Sequence, residues 1–186
     1  MPSDAGGSGA DEREGLPVVG GAFLLTQLGT HSAQVFAERI GELDLTPPQT
    51  GLLRAIGRSP GSSQQALADL LGTPATRLVA LVDGLEERGL VERRRNPRDR
   101  RLYAVHLTDR GTALMADIGR VAAAHDATVL AALSPDERAT LHALLSRVAA
   151  DRGLTPGVHP GYRTLRATDD GSARTADEGR DGARSS

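Results

Sequence analysis

The sequence predicts a mainly α-helical protein with one small β-hairpin, in the order α-α-α-α-β-β-α-α, and three observations support this fold class. Apolar residues make up 39% of the 186 residues and aromatic residues only 2%. A core built from Leu, Val, Ile and Ala suits packed helices better than a sandwich of sheets, which favours β-branched and aromatic residues. Helix-capping residues and glycines recur along residues 46–89, and two short segments then flank a turn near residue 97.

Four helices are predicted between residues 25 and 89. Apolar residues recur with the helical period over 25–43, which indicates a long first helix. The run Thr46-Pro47-Pro48-Gln49 has the form of a capping box with proline at the first helical position, and it opens a second helix. Polar residues 62–65 cap a third helix, and Thr73-Pro74 opens a fourth. We expect the last three of these helices to end at glycines, which tolerate the positive φ of a helix C-terminus: Gly57, Gly72 and Gly89.

A basic hairpin and two further helices follow. Segments 90–95 and 101–107 flank the turn sequence Asn96-Pro97-Arg98-Asp99, which predicts a β-hairpin. Residues 93–101 hold six Arg and one Asp, in a chain whose net charge is only −2. This contrast indicates a single feature that faces a polyanion rather than a uniformly basic surface. Thr108 caps a fifth helix, and a capping box at 134–137 opens the last one.

The two chain ends differ in composition from the rest. Residues 1–15 and 153–186 are rich in Gly, Ser, Asp and Arg and lack apolar periodicity, so we predict that both are disordered tails. The folded body is predicted at 16–152, with a central lobe at about 46–108.

Two short helices followed by a basic hairpin form a winged helix-turn-helix, and this geometry predicts DNA binding. The second helix of the pair fits the major groove, about 12 Å wide, while the hairpin, or wing (residues 90–107), reaches the minor groove, about 6 Å wide. Arginine side chains at the tip of a wing meet a strongly negative potential there.

The candidate DNA-binding residues fall into three groups. Base edges are expected to meet the amino end of the fourth helix at Thr73, Ala75, Thr76 and Arg77. Phosphate oxygens are expected to meet the start of the third helix at Ser63, Gln64 and Gln65. The wing contributes Arg94, Arg95, Arg98, Arg100 and Arg101, with Arg98 and Arg100 at its tip. Asp99 is expected to order the wing by pairing with Arg101, because DNA would repel its carboxylate.

The spacing of these motifs resembles the MarR (multiple antibiotic resistance regulator) family. The resemblance rests on Leu45-Thr46-Pro47-Pro48-Gln49 and on Gly61–Gly111, and its specific parts are Leu85–Val91, Asp99-Arg100-Arg101, and Leu107-Thr108 with Gly111. It implies an obligate homodimer, joined by helices within 16–43 and 109–150, that binds a pseudo-palindromic operator in double-stranded DNA. It also implies a repressor that is relieved when a small, often aromatic and anionic ligand enters a crevice between the dimer region and the lobe. His31, in the first helix, is the candidate ligand-binding residue.

Several classes of protein are disfavoured. The chain has no cysteine, which excludes disulfides, thiolate catalysis and cysteine-bound metal. Its five histidines lack metal-ligand spacing, and no catalytic motif is visible, so we expect neither a metal, a cofactor nor an enzyme. Without a long apolar run or a signal peptide, we expect a cytoplasmic protein with no membrane partner.

Two alternatives to a sequence-specific regulator remain. A winged helix can serve as a protein-interaction module without sequence-specific DNA binding, although the cluster of six arginines argues against it. An architectural protein could also bind DNA without sequence preference. The ratio of specific to non-specific affinity separates the regulator from the architectural protein.

Overall fold

The computed structural model describes residues 19–95, 103–159 and 161–164. The helices are α1 (Gly21–Gly41), α2 (Pro47–Arg58), α3 (Gln64–Leu71), α4 (Ala75–Glu87), α5 (Asp109–Val129), α6 (Pro135–Asp151) and α7 (Gly161–Thr164). The strands are β1 (Ser62–Ser63), β2 (Val91–Arg95) and β3 (Tyr103–Leu107). The predicted fold class is confirmed, and two elements are added to the predicted order: the short strand β1 and the short helix α7.

The three strands form one antiparallel sheet in the order β1-β3-β2. Strands β2 and β3 make the predicted hairpin, with Arg93 opposite Val105 and Arg95 opposite Tyr103. Strand β1 pairs Ser62 with Val105 on the other side of β3. Two residues are too few to show an alternating pattern, so β1 could not be predicted from its residues.

The predicted helix starts agree with the structure. Thr46 and Ser134 form complete capping boxes with Gln49 and Glu137, each with proline in the first turn. Thr108 caps α5 by accepting a hydrogen bond from the N–H of Gly111 at 3.0 Å. These contacts satisfy N–H groups that have no partner within the helix, so they fix where each helix begins.

One predicted helix end is wrong. Gly72 and Gly89 follow α3 and α4 with φ of 64° and 65°, as the sequence indicated. Gly57, in contrast, lies inside α2, which continues to Arg58. A Cβ built on Gly57 would lie 3.4 Å from Cδ1 of Leu107, so this glycine stands where the helix passes close to strand β3. A glycine inside a helix has the same appearance in the sequence as one that ends a helix.

The core lies in the central lobe. Helices α2, α3 and α4 pack on one another and on the sheet, and their largest fully buried side chains include Leu52, Ile56, Leu67, Leu78 and Leu85. Helix α5 packs against α1 and α2. By contrast, α1 and α6 expose large apolar side chains, including Phe23 at 60%, Leu28 at 57% and Val148 at 49%.

The predicted disorder of the C-terminal tail is wrong for its first part. Residues 153–159 follow α6 and lead towards α2, and Tyr162 of α7 is buried in the lobe with 5% of its surface exposed. Single apolar residues separated by glycine and proline, such as Leu154, Val158 and Tyr162, show no periodicity, so the sequence pattern concealed this packing. Residues 1–15 and 165–186 lie outside the described residues.

Candidate nucleic-acid interface

A left-handed glycine sets the angle between the two helices that the sequence assigned to DNA. Gly72 adopts φ 64° and ψ 32° at the end of α3, a conformation that glycine favours. The N–H of Thr73 then donates to the carbonyl of Ala68 at 3.0 Å, and Pro74 stands at the N-cap position of α4. The chain therefore reverses in three residues and starts α4 at a fixed place against α3.

Helix α4 has one buried and one exposed face. Leu78, Val82 and Leu85 are fully buried against the lobe. At its amino end, Ala75 and Thr76 are exposed, and Arg77 is half-buried. This arrangement presents the first turn of α4 at the surface, as predicted for three of the four candidate base-reading residues.

Thr73 is the exception, because its side chain is buried rather than presented at the surface with the other three. Its side chain is only 7% exposed, and its buried hydroxyl has no hydrogen-bond partner among the described residues. The cause is local, because the hydrogen bond of its N–H to Ala68 and the proline after it turn the side chain inward. The residue therefore belongs to the core beneath the surface rather than to the surface itself.

The start of α3 presents its three predicted residues differently. Ser63 is the N-cap, and its Oγ accepts a hydrogen bond from the N–H of Ala66 at 3.1 Å, which leaves its own O–H able to donate. Gln65 is exposed, and its amide donates to Oδ1 of Asp69 at 2.8 Å. Gln64 is half-buried, with a buried Oε1 that has no partner among the described residues. Ser63 and Gln65 are therefore better placed than Gln64 to reach a phosphate.

The three arginines of β2 have different environments. Arg94 and Arg95 are exposed at the end of the strand, and Arg94 makes a 2.5 Å ion pair with Glu92 at the surface. Such an exposed pair is weak, so Arg94 remains able to contact another anion. The other predicted wing residues lie outside the described residues: Arg98, Asp99, Arg100 and Arg101.

Arg93 connects the wing to α4. Its guanidinium binds Asp83 at 2.5 Å and also Glu86, and its backbone N–H donates to Oε1 of Glu86 at 3.0 Å. Its side chain is 18% exposed. Burial alone would lower the pKa of Arg93, but the hydrogen bonds and charges of the two carboxylates raise it above its ordinary value.

The role of Arg93 was missed because all arginines of the run look alike in the sequence. Asp83 and Glu86 are three residues apart, which places both on one face of α4 one turn apart. An acidic pair of this spacing just before a basic strand is the signal that could have singled out Arg93. The structure thus pairs one of the six positive charges of residues 93–101 with carboxylates of α4, at the base of the wing.

Of the histidines, His106 lies in the wing, on β3 opposite Glu92. His31 is exposed on α1. On the neighbouring α5, Nε2 of His125 lies 2.9 Å from Oγ of Ser32, and its ring lies 5.4 Å from that of Phe36. Burial lowers the pKa of His125, and the nearby charge of Arg39 lowers it further.

Within the described ranges, no cluster of three or more His, Asp or Glu side chains is arranged to bind a metal ion. Among the same residues, no helix combines the length and the apolar character needed to cross a membrane.

Comparisons with known proteins agree with the geometry. The sequence profile of the MarR family matches residues 43–102. A transcriptional regulatory protein for the hcr operon of Thauera aromatica is 38% identical over 112 residues, which cover 60% of this chain and 68% of that protein. The transcriptional regulator HosA of Escherichia coli is 34% identical over 95 residues, which cover 51% of this chain and 70% of HosA.

Solved structures give the same result. The transcriptional repressor CouR, bound to a 23-mer DNA duplex, superimposes with a TM-score of 0.62 and 32% identity, covering 69% of this chain and 91% of CouR. Wild-type MarR from E. coli in its apo form has a TM-score of 0.64 and 26% identity, covering 70% of this chain and 97% of MarR. The chain therefore belongs to the MarR family and is a DNA-binding transcriptional regulator.

Proposed function

We propose that the protein is a cytoplasmic homodimeric repressor that binds a pseudo-palindromic operator and releases it when a small, often aromatic and anionic ligand binds. One observation carries this proposal above the others. The first turn of α4 is exposed at Ala75 and Thr76 while the opposite face of the helix is buried, and the basic end of β2 lies in the hairpin that follows. A helix so presented beside a basic wing fits two adjacent grooves of one duplex.

In the proposed complex, α4 is the recognition helix. The hydroxyl of Thr76 can bind a base or a phosphate, the methyl of Ala75 can contact a thymine methyl, and Arg77 can bind guanine through two hydrogen bonds. The amino end of α3 adds phosphate contacts from Ser63 and Gln65, supported by the partial positive charge of the helix N-terminus. These phosphate contacts set the register in which the bases are met.

The wing supplies the minor-groove contacts. Arg95 is exposed at the last described position of β2, and the tip arginines Arg98 and Arg100 follow it in the chain. A narrow minor groove has an enhanced negative potential that attracts such side chains. Arg101 and Asp99 are proposed to pair and order the tip, while Arg93, bound to Asp83 and Glu86, holds its base.

The dimer is supported by the exposed apolar faces of the terminal helices. Large apolar side chains are exposed on α1, with Leu28 as an example, and on α6, with Leu144 and Val148 as examples. Contiguous apolar surface of this kind marks protein association. A two-fold dimer would place the two recognition helices about 34–36 Å apart, one turn of DNA, which matches a pseudo-palindromic operator.

The relatives support the same conclusion. CouR, 32% identical to this chain, was solved as a repressor on a DNA duplex, and HosA is a transcriptional regulator. The ligand is proposed to occupy the crevice between the dimer helices and the lobe, where His31 of α1 is the candidate contact. We propose no catalytic role and no metal or other cofactor for this protein.

The wing assignment is tested by replacing its two tip arginines. The Arg98→Ala/Arg100→Ala variant should lose about 1–3 kcal/mol of binding free energy per lost contact and show a shallower dependence of affinity on salt. The matched control is Arg120→Ala/Arg152→Ala, which removes the same charge from exposed positions on α5 and after α6. Fluorescence anisotropy with a labelled operator, at two salt concentrations, measures both quantities.

Four outcomes are informative. Weakened binding in the wing variant with unchanged binding in the control supports the assignment. Equal binding by both variants and the wild type would mean that the wing does not touch DNA. Absence of any DNA binding by the wild type would instead favour the protein-interaction module, and equal affinity for all duplexes would favour an architectural role.

A further inference from the structure

The residues after α6 form a strap across the lobe. This C-terminal strap, defined here as residues 153–159 with 161–162, begins at Gly153, whose φ of 64° ends α6. The N–H of Leu154 donates to the carbonyl of Ala149 at 3.0 Å, which anchors the strap to the last turn of α6. The strap then reaches α2, where Nη1 of Arg58 donates to the carbonyl of Pro156 at 3.4 Å.

The far end of the strap is held by Tyr162. Its hydroxyl donates to the carbonyl of Pro48 in the first turn of α2 at 2.5 Å, and its ring belongs to the hydrophobic core. Burial raises the pKa of this phenol well above its ordinary value. The carbonyl of Pro48 lies in the first turn of α2, so this bond ties Tyr162 to the start of that helix.

Two glycines allow the strap to lie this close. A Cβ on Gly51 would stand 2.9 Å from Cζ of Tyr162, so only glycine at this position of α2 leaves room for the ring. In the strap itself, Gly157 has a φ of 74°, and a Cβ there would stand 2.7 Å from Nη1 of Arg58. Helix α2 and the strap therefore approach closely at two points, Gly51 with Tyr162 and Arg58 with Gly157.

Between these anchors the contact is incomplete. A cavity of about 210 Å³ remains between the strap and helices α2 and α3, lined by residues that include Arg54, Leu70 and Val158. The strap is consequently held at separate points, by the hydrogen bond of Arg58, the partly buried Val158 and the buried Tyr162, rather than by continuous packing. Removal of one anchor should be enough to release it.

We propose that the C-terminal strap fixes the orientation of the DNA-binding lobe relative to the dimer helices, with Tyr162 and Gly51 as positioning residues. The strap joins the end of α6, which the proposed function assigns to the dimer, to α2, which packs directly against α3 and α4. Because the strap fixes each lobe relative to the dimer helices, the two recognition helices of a dimer are held at one distance from each other. The effect of the strap on DNA binding rests on the proposed function. The mechanical link between the strap and the lobe does not.

The coupling is tested without DNA. Because the chain has no cysteine, Ala80→Cys places a single spin label on an exposed position of α4 in each protomer. Double electron–electron resonance then measures the distance between the two recognition helices. We expect a narrow distribution in the otherwise unchanged chain, a distribution broadened at least about twofold in Tyr162→Ala, and recovery of the narrow distribution in Tyr162→Phe, which keeps the ring.

Gly51→Ala tests the same contact from the other side. An alanine normally favours a helix over a glycine, so release of the strap by this change would come from its clash with Tyr162 rather than from loss of helix. The matched control is Gly119→Ala on α5, where a new Cβ meets nothing within 4 Å. We expect broadening in Gly51→Ala and none in Gly119→Ala.

The consequence for DNA is tested with an operator obtained by selection from random duplexes and with versions whose half-site spacing is one base pair longer or shorter. The wild type should lose about 10-fold or more in affinity on either change of spacing, and Tyr162→Ala should lose less than about 3-fold. A variant that is merely less stable would lower the affinity for all three duplexes equally. Tyr162→Phe should restore the wild-type preference.

A distance distribution in Tyr162→Ala and Gly51→Ala as narrow as that of the wild type would overturn the proposal, whatever happens to the melting temperature. So would an unchanged spacing preference in these variants. A distribution that broadens as expected in a protein that binds no DNA would support the coupling and refute the proposed function instead.

Discussion

Arg93 and Arg94 are neighbours with the same charge, and the structure predicts opposite consequences for their loss. Arg93 bridges Asp83 and Glu86 and should act on stability, whereas Arg94 is exposed and should act on DNA binding. We therefore compare Arg93→Ala with Arg94→Ala, which differ by one position and remove one positive charge each.

The stability that Arg93→Ala should lose follows from how exposed the two partner carboxylates of Arg93 are. The carboxylate side chains of Asp83 and Glu86 are 51% and 38% exposed, so solvent screens both ion pairs, and each contributes about 0.5–1 kcal/mol rather than the several kcal/mol of a buried pair. The hydrogen bond from the backbone N–H of Arg93 to Glu86 is weakened when the guanidinium no longer holds that carboxylate. We expect Arg93→Ala to lower the free energy of unfolding by about 1–2 kcal/mol.

The main effect of Arg94→Ala should be on DNA binding rather than on stability. Its ion pair with Glu92 joins side chains that are 59% and 41% exposed, so its loss should change stability by less than about 0.5 kcal/mol. If Arg94 meets one phosphate in each protomer, its removal should make the slope of log K against log salt shallower by about 2 in the dimer.

Urea unfolding followed by circular dichroism measures the first effect, and anisotropy titrations at two salt concentrations measure the second. Glu86→Gln serves as a further control. It should lower stability, as Arg93→Ala does, and Glu86 is not proposed to contact DNA. Equal losses of stability in the two arginine variants, or a shallower salt slope in Arg93→Ala alone, would refute the assignment of their roles.

Four other predictions concern the remaining parts of the molecule. Replacing Thr76 and Arg77 by alanine should relax base preference at particular operator positions by about 1–3 kcal/mol, measured with singly substituted duplexes; uniform weakening on all DNA would mean that α4 is not the recognition helix. Leu28→Glu places a charge on the exposed apolar face of α1 and should convert the dimer to a monomer in sedimentation experiments, and a persistent dimer would exclude this face from the interface. Because the pKa of His125 is lowered by burial, the unfolded chain binds its proton more readily, so stability should fall as pH drops below 6.5, and less so in His125→Gln. Because the pKa of Tyr162 is raised by burial, stability should also fall as pH rises above 10.0, and urea titrations of Tyr162→Phe should lack this component.

The sequence was sufficient for features that depend on local chemistry. The capping boxes at Thr46 and Ser134 use side chains and backbone within four residues of one another, so the motif and the structure coincide. The hairpin of β2 and β3 followed from two short segments on either side of a proline turn, the second of them alternating. Local rules of this kind need no knowledge of the rest of the fold.

The remaining features depend on contacts in the folded chain, some between residues close in sequence and others between distant ones. Thr73 was expected at the surface, at the start of α4. The hydrogen bond from its N–H to the carbonyl of Ala68 instead turns its side chain towards the core. Arg93 looks like the other arginines of its basic run, but in the structure it binds Asp83 and Glu86 of α4. Tyr162 lies in a polar segment, yet the glycine at position 51, more than a hundred residues earlier, makes room for its ring. No local pattern contains the pairing of Gly51 with Tyr162.

The central claim is that this chain binds specific DNA as a regulator, and one titration tests it most directly. Labelled duplex from upstream of its own gene is compared with a scrambled duplex of equal length by fluorescence anisotropy at two salt concentrations. The account predicts a preference of about 10³-fold or more for the native duplex, with a salt slope of about −8 if each protomer neutralises four or five phosphates. Equal affinity for the two duplexes at both salt concentrations, or binding to neither, would contradict it.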